Sequence, residues 1–250
     1  MWTRGRKPAS SSSTSDRADV NILLLPEKDR RAQLEAAETK AFSLLDAIER
    51  AGLIAPGKTE AELDAEIYEL AKRDFGVEKH WHRRVVRAGP NTLCTFYDKP
   101  PVCAIGPDDI VYLDLGPVFA EWEADVGRSY AVGGDPDKRR LVADLPRTFD
   151  IAKAHYERSP DITGAELYRF AQTAAQDAGW EFGGVIAGHI VGEFPHAQRV
   201  PGDKDQHRIG PFNRKRMRDP DAHGHTRHWI LEIHLVDRAR EFGGFYERLL

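Results

Sequence analysis

Four acids and one histidine occupy positions where a lone polar group is costly: Asp114, Asp125, His189, Glu232 and Glu247. Asp114 lies within Val-Tyr-Leu-Asp-Leu-Gly, and Asp125 follows in Ala-Asp-Val-Gly-Arg-Ser-Tyr. His189 sits in Ala-Gly-His-Ile-Val-Gly, and Glu232 in Trp-Ile-Leu-Glu-Ile-His-Leu-Val. Burying an ionised group without compensation costs several kcal/mol or more, so these residues call for partners. Four carboxylates and an imidazole suit two hard or borderline divalent cations. Two such ions about 3.5–4 Å apart can share an activated water. The residues therefore point to a dinuclear metal-dependent hydrolase.

The elements that would position these groups follow from hydrophobic periodicity. A helix is expected after Pro26, with Leu34, Ala37, Ala41, Leu44, Leu45 and Ile48 on one face. A second starts at Thr59, where Thr59 and Glu62 form a capping box, and stops at Gly76. The pattern recurs: Thr163-Gly164-Ala165-Glu166-Leu167 echoes Thr59-Glu60-Ala61-Glu62-Leu63. Ile48-Glu49-Arg50 is echoed by Tyr156-Glu157-Arg158, and Gly76 by Gly179. A duplicated helix–helix–strand module would place a site at the junction of its halves. Strands are expected over residues 84–88, 110–115, 124–132, 184–186 and 230–236. Tyr112 and Asp114 then share one face, as do Asp125, Gly127 and Ser129, and Glu232 and His234. Gly116-Pro117 marks a turn between the aspartate strands.

The chain has 250 residues, 41% hydrophobic and 30% charged, which suits one sizeable globular domain. Residues 1–19 are Ser-rich and polar and are expected to be a flexible tail, leaving 20–250 as a single domain. A net charge of −4 argues against a nucleic-acid partner. No apolar run approaches the roughly 20 residues of a membrane span. Two cysteines do not make a disulfide framework, so a cytoplasmic location is expected.

The strings Leu-Asp-Leu-Gly (113–116), Ala-Asp-Val-Gly-Arg-Ser-Tyr (124–130), Gly-His-Ile-Val-Gly-Glu-Phe-Pro-His (188–196), Leu-Glu (231–232) and Phe-Tyr-Glu (245–247) resemble the M24 metallopeptidases. That group includes the methionine and Xaa-Pro aminopeptidases. The resemblance covers residues 28–250 and implies the pita-bread α/β (α+β) fold, with duplicated halves around a curved, mainly antiparallel sheet. It implies Asp114 as ligand of one metal, Asp125 and Glu247 as bridging carboxylates, and His189 and Glu232 as further ligands. It implies His196 as a contact to substrate and transition state. Where the family carries a histidine about eighteen residues before the first aspartate, this chain has Phe96. Phe96 and the upstream His82 are taken as substrate-binding; His80 is the other nearby imidazole.

The activity expected is removal of an N-terminal residue, of Xaa-Pro or Met type, by a metal-bridging hydroxide. Glu232 would move the water's proton and His196 would steady the oxyanion. Mn²⁺ is favoured by the carboxylate-rich set, with Co²⁺, Fe²⁺ and Zn²⁺ as alternatives. The expected partner is a peptide or small amide, and a homodimer is allowed. Hydrolysis of a non-peptide amide and a non-catalytic binding role are the rival readings. In the long stretch 201–228, His223 and His225 read as polar loop rather than ligands, and Arg214–Arg218 as a solvated cluster first and an anion contact second. Two ion-pairing alternatives compete with ligation: Glu232 with Arg128, and a solvated Glu247 beside Arg248.

Overall fold

A computed structural model describes residues 25–199 and 204–250. The expected Ser-rich tail lies outside the described residues. Helix α1 (Glu27–Arg50) and helix α2 (Glu60–Phe75) precede strand β1 (Val85–Ala88). Strands β2 (Ile110–Leu115), β3 (Val118–Phe119), β4 (Trp122–Glu123) and β5 (Val126–Ala131) follow. The second half runs through α3 (Pro136–Arg158), α4 (Gly164–Asp177), β6 (Glu181–Phe182), β7 (Ile190–Val191) and a short α5 (His196–Arg199). It closes with β8 (His228–Asp237) and β9 (Phe242–Leu249).

Both expected capping boxes form. The Thr59 hydroxyl accepts from the Glu62 amide while Glu62 accepts from Thr59 N–H, and Thr163 and Glu166 do the same. Each satisfies two orphan amides at a helix start. Gly76 caps α2 in the left-handed region at φ 64°, and Gly179 turns the chain after α4 at φ 82°. The echoed triplets end α1 at Arg50 and α3 at Arg158. The helix–helix–strand order is thus present in each half.

The main sheet is antiparallel, in the order β1-β2-β5-β9-β8-β6, with β7 pairing with β8. Its strands alternate. Val111, Leu113 and Leu115 on β2 join Leu34, Leu44, Leu63 and Ile67 in one core with α1 and α2. Leu231, Ile233 and Leu235 on β8 join Leu141, Leu145, Leu167 and Ala171 in a second core with α3 and α4. The intervening residues Tyr112, Asp114, Glu232 and His234 face away from the helices. Apolar burial thus fixes strand register, because a slip of one residue would turn every acid into a core.

Two expectations are corrected. Residues 184–186 are not a strand: the chain bends over 185–187, and the short strands are β6 and β7 on either side. Gly183 lies against Val236 and His234 so closely that a Cβ would meet them at 2.6 and 2.8 Å, and the chain leaves the sheet there. The aspartate strands are joined not by a simple turn but by the small β3–β4 hairpin, and β5 begins one residue after Asp125. Among the described residues, no helix is long and apolar enough to cross a membrane.

Candidate metal centre

Sheet register explains how acids distant in sequence meet. Asp114 pairs with Gly127, Gly127 with Glu247, and Glu247 with Glu232, so one row crosses β2, β5, β9 and β8. Asp125 stands two residues before Gly127. Glycine is required at 127: a Cβ would lie 2.6 Å from the Phe245 ring and 2.9 Å from the Glu247 Cβ. The next row forms the floor. Ser129 Oγ donates to the Phe245 carbonyl at 2.9 Å and accepts from its N–H at 2.7 Å. Tyr112, Phe245 and His234 pack beside it with ring centroids 5.5–6.2 Å apart.

His189 is brought in by backbone bonding along β8. Its carbonyl accepts from Ile230 N–H at 2.9 Å, and Ala187 accepts from Glu232 N–H at 3.0 Å. Gly188 at φ 128° permits this approach, since a Cβ there would sit 2.2 Å from the Ile230 oxygen. His189 Nε2 is then 3.3 Å from Asp125 Oδ2 and 3.6 Å from Glu232 Oε1. His82 enters from the segment before β1, which bonds to the 116–118 turn through Trp81 N–H to Gly116 O and Val118 N–H to Lys79 O, each 3.0 Å. Its Nε2 lies 3.0 Å from Asp125 Oδ1 and 3.5 Å from Asp114 Oδ1. Two groups with ligand spacing result, His82–Asp114–Asp125 and Asp125–His189–Glu247, sharing Asp125.

The electrostatics fit cations. Burial, reinforced by the neighbouring carboxylates, pushes Asp114 up to about 6 and Glu232 up to about 7. The same causes raise Glu247 well above the carboxylate range. For Asp125 burial acts upward, but His82 and His189 outweigh it and hold the group low. Burial opposes charging of the two imidazoles, yet the carboxylates raise both to about 9. Glu247 is only 2% exposed, and its Oε2 is buried without a hydrogen-bond partner. An orphaned carboxylate oxygen facing other acids calls for a positive charge. The oxygen and imidazole donors suit divalent ions. The ion-pairing alternatives do not hold: Arg128 binds Asp46 at 2.7 Å, and Arg248 binds Glu38 at 3.2 Å.

His196 opens α5 and lines the same cavity, of about 440 Å³, as do Phe96, Tyr97 and Arg208. Its Nδ1 contacts the buried Glu123 carboxylate, which also accepts from His196 N–H at 3.0 Å and Gly192 N–H at 3.3 Å. Glu123 is a neighbour of the site that sequence reasoning missed; its only signal was an acid two residues before Asp125. Trp81 was also missed. Its Nε1 donates to Ala124 O at 3.0 Å, and its ring is edge-on to His82, His189 and His196 at 4.5, 5.2 and 5.3 Å. Phe96 is 39% exposed at the cavity rim, edge-on to His82 and under the Arg83 guanidinium. His80 does not join the cluster: both its ring nitrogens are buried without hydrogen-bond partners, and burial pushes it down to about 4. His223 and His225 lie in a surface turn held by Asp221, outside both ligand groups.

A fold and site of this kind are those of a metal-binding peptidase family. Residues 32–218 match the model of metallopeptidase family M24, and the chain belongs to that family. The Xaa-Pro dipeptidase of Lactobacillus helveticus is 27% identical over 202 residues, 78% of this chain and 53% of that protein. The Xaa-Pro dipeptidase of Pyrococcus horikoshii is 27% identical over 176 residues, 68% of this chain and 47% of that protein. The chain thus spans about half the length of these curated relatives. Among solved structures, a prolidase from Thermococcus sibiricus aligns over 92% of this chain and 57% of its own, at TM-score 0.65 and 20% identity. An X-Pro aminopeptidase from Thermotoga maritima aligns over 93% and 60%, at TM-score 0.65 and 17% identity. The architecture is the pita-bread fold expected from the sequence.

Proposed function

We propose that this protein is a dinuclear metal-dependent peptidase that releases an N-terminal residue, with Xaa-Pro substrates preferred over Met-headed ones. The observation that carries the dinuclear reading is the pair of ligand groups sharing Asp125, with the orphaned Glu247 oxygen beside them. The Xaa-Pro preference is supported by the relatives' names alone. Asp114, Asp125, His189, Glu232 and Glu247 would hold the ions. Two divalent cations there would acidify a shared water and polarise the scissile carbonyl.

The chain's own groups do the rest. Glu232, which lines the cavity beside His189, takes the attacking water's proton for delivery to the leaving amine. Glu123 fixes the His196 ring through Nδ1, and the ring carrying a proton on each nitrogen, held by that carboxylate, turns Nε2–H to the developing oxyanion in the cavity. Trp81 packs edge-on against the three imidazoles and limits their rotation. Phe96 and Tyr97 form an aromatic rim for the substrate side chain.

The test couples elemental analysis with a screen of Xaa-Pro-, Met- and Ala-headed peptides, supplying Mn²⁺ first and then Co²⁺, Fe²⁺ and Zn²⁺. Two ions per chain and cleavage of Xaa-Pro peptides are expected. Asp125→Asn should bind fewer than two ions and lose activity; full metal content and activity in that variant would refute the assignment. Phe96, standing where the family carries histidine, is the reason to include small non-peptide amides in the panel.

A further inference from the structure

We infer that His82 is itself a metal ligand, so that each ion of the pair receives one imidazole. The inference rests on the dinuclear reading above and changes its donor set. Neither the expected ligand set nor the family resemblance includes His82.

Three observations carry it. First, His82 reproduces the geometry of His189. His82 Nδ1 is 2.7 Å from the carbonyl of Arg83, and His189 Nδ1 is 2.8 Å from that of Ile190, in each case the next residue. A carbonyl only accepts, so each Nδ1 is the donor and the lone pair of the neutral ring belongs to Nε2. Such an anchor on the far nitrogen is what ligating histidines have. Second, the two Nε2 atoms divide the acids between them. His82 faces Asp114 Oδ1 and Asp125 Oδ1, while His189 faces Asp125 Oδ2 and Glu232 Oε1. Asp125 presents one oxygen to each side, as a bridging carboxylate must. Third, the fold makes room for this ring. A Cβ at residue 116 would lie 2.1 Å from His82 Cδ2 and 2.7 Å from Trp81 Nε1, so Gly116 is what lets His82 reach the cluster. Trp81 braces both imidazoles edge-on from one side.

The rival role for His82 is a substrate contact from the cavity wall. A ring serving substrate would turn its free nitrogen to the open cavity. Here Nε2 points between two buried carboxylates, where a ligand atom belongs. A site with two imidazoles and four carboxylates is also less one-sided toward Mn²⁺ than the five-residue set. Cobalt, iron and zinc gain from the added nitrogen.

The experiment is a Co²⁺ titration of the chelator-stripped full chain, followed by visible absorption and elemental analysis, for wild type, His82→Gln and His82→Cys. Wild type should take up two ions. His82→Gln should bind one of them roughly 100-fold more weakly, at least as large as the loss from removing an outer partner of a ligand. His82→Cys should produce a thiolate-to-cobalt charge-transfer band, which arises only if residue 82 reaches the ion and the protein is folded around it. Two tightly bound ions and unchanged spectra in His82→Gln, with no sulfur band in His82→Cys, would overturn the inference while leaving the dinuclear reading intact. Wild type that takes up no ion would overturn both.

Discussion

At the residue scale, the centre is a balance between acids that repel and imidazoles that hold them. Asp114, Glu232 and Glu247 have native pKa values above their unfolded ones. Without metal, the native state binds more protons than the unfolded chain between about pH 4 and 7. His82 and His189, raised to about 9, extend this excess from about 6.5 to 9. Asp125, held low, acts in the opposite sense only below its ordinary range. The site's contribution to stability therefore falls as pH rises through both windows. Chemical denaturation of chelated protein should show this decline, and saturating metal should flatten it, because cations replace the protons. His196→Ala should lower kcat by roughly 10²–10³-fold, as loss of one oxyanion donor does. Glu123→Gln, which keeps the shape but not the charge, should lower kcat with KM little changed; an equal fall in binding would show that Glu123 serves structure alone.

At the scale of elements, glycines set the distances. Gly188 is the sharpest case: its φ of 128° and a Cβ clash of 2.2 Å with Ile230 O both forbid a side chain. Gly188→Ala should push the 187–191 segment off β8 and carry His189 away from Asp125 and Glu232. Weaker metal binding with a lowered melting temperature is expected, read by metal titration and calorimetry. Much of this level was legible beforehand. Thr59/Glu62 and Thr163/Glu166 announce helix starts because reciprocal capping depends only on residues three apart. The strand face of Asp114 was readable because Val111, Leu113 and Leu115 alternate with it. The bend at 185–187 was not, since a short apolar run reads equally as strand or turn until its packing is known. Nor was the role of His82. Its partners Asp114 and Asp125 lie more than thirty positions away, and His80-Trp81-His82 carries no spacing that links it to them.

At the scale of the whole molecule, two cores share one site. Helices α1 and α2 pack on β2, which carries Asp114, while α3 and α4 pack on β8, which carries Glu232. β5 and β9 meet across the middle through a single ladder pair, Gly127 with Glu247, and the Ser129–Phe245 bonds. Cations held by residues of both halves should act as a clamp. Metal at a thousandfold excess over its dissociation constant would add about 4 kcal/mol to global stability. Stripping the ions should accordingly lower the melting temperature of the entire domain in one transition; a two-step melt would mean that the halves come apart independently. The resemblance in sequence foretold the duplicated halves because helix caps repeat locally. The register that aligns the acids could not be foretold, since it depends on one pairing, Gly127 with Glu247, between strands more than a hundred positions apart.

The place of the β8–β9 hairpin in the sheet bears on how such a protein comes into being. Strand β5, made early, has in β9 a neighbour that is synthesised long after it. Until that hairpin slots in beside β5, the row that begins at Asp114 lacks Glu232 and Glu247. The proposed metal site is therefore completed late, when strands from both ends of the described sheet have been made and paired.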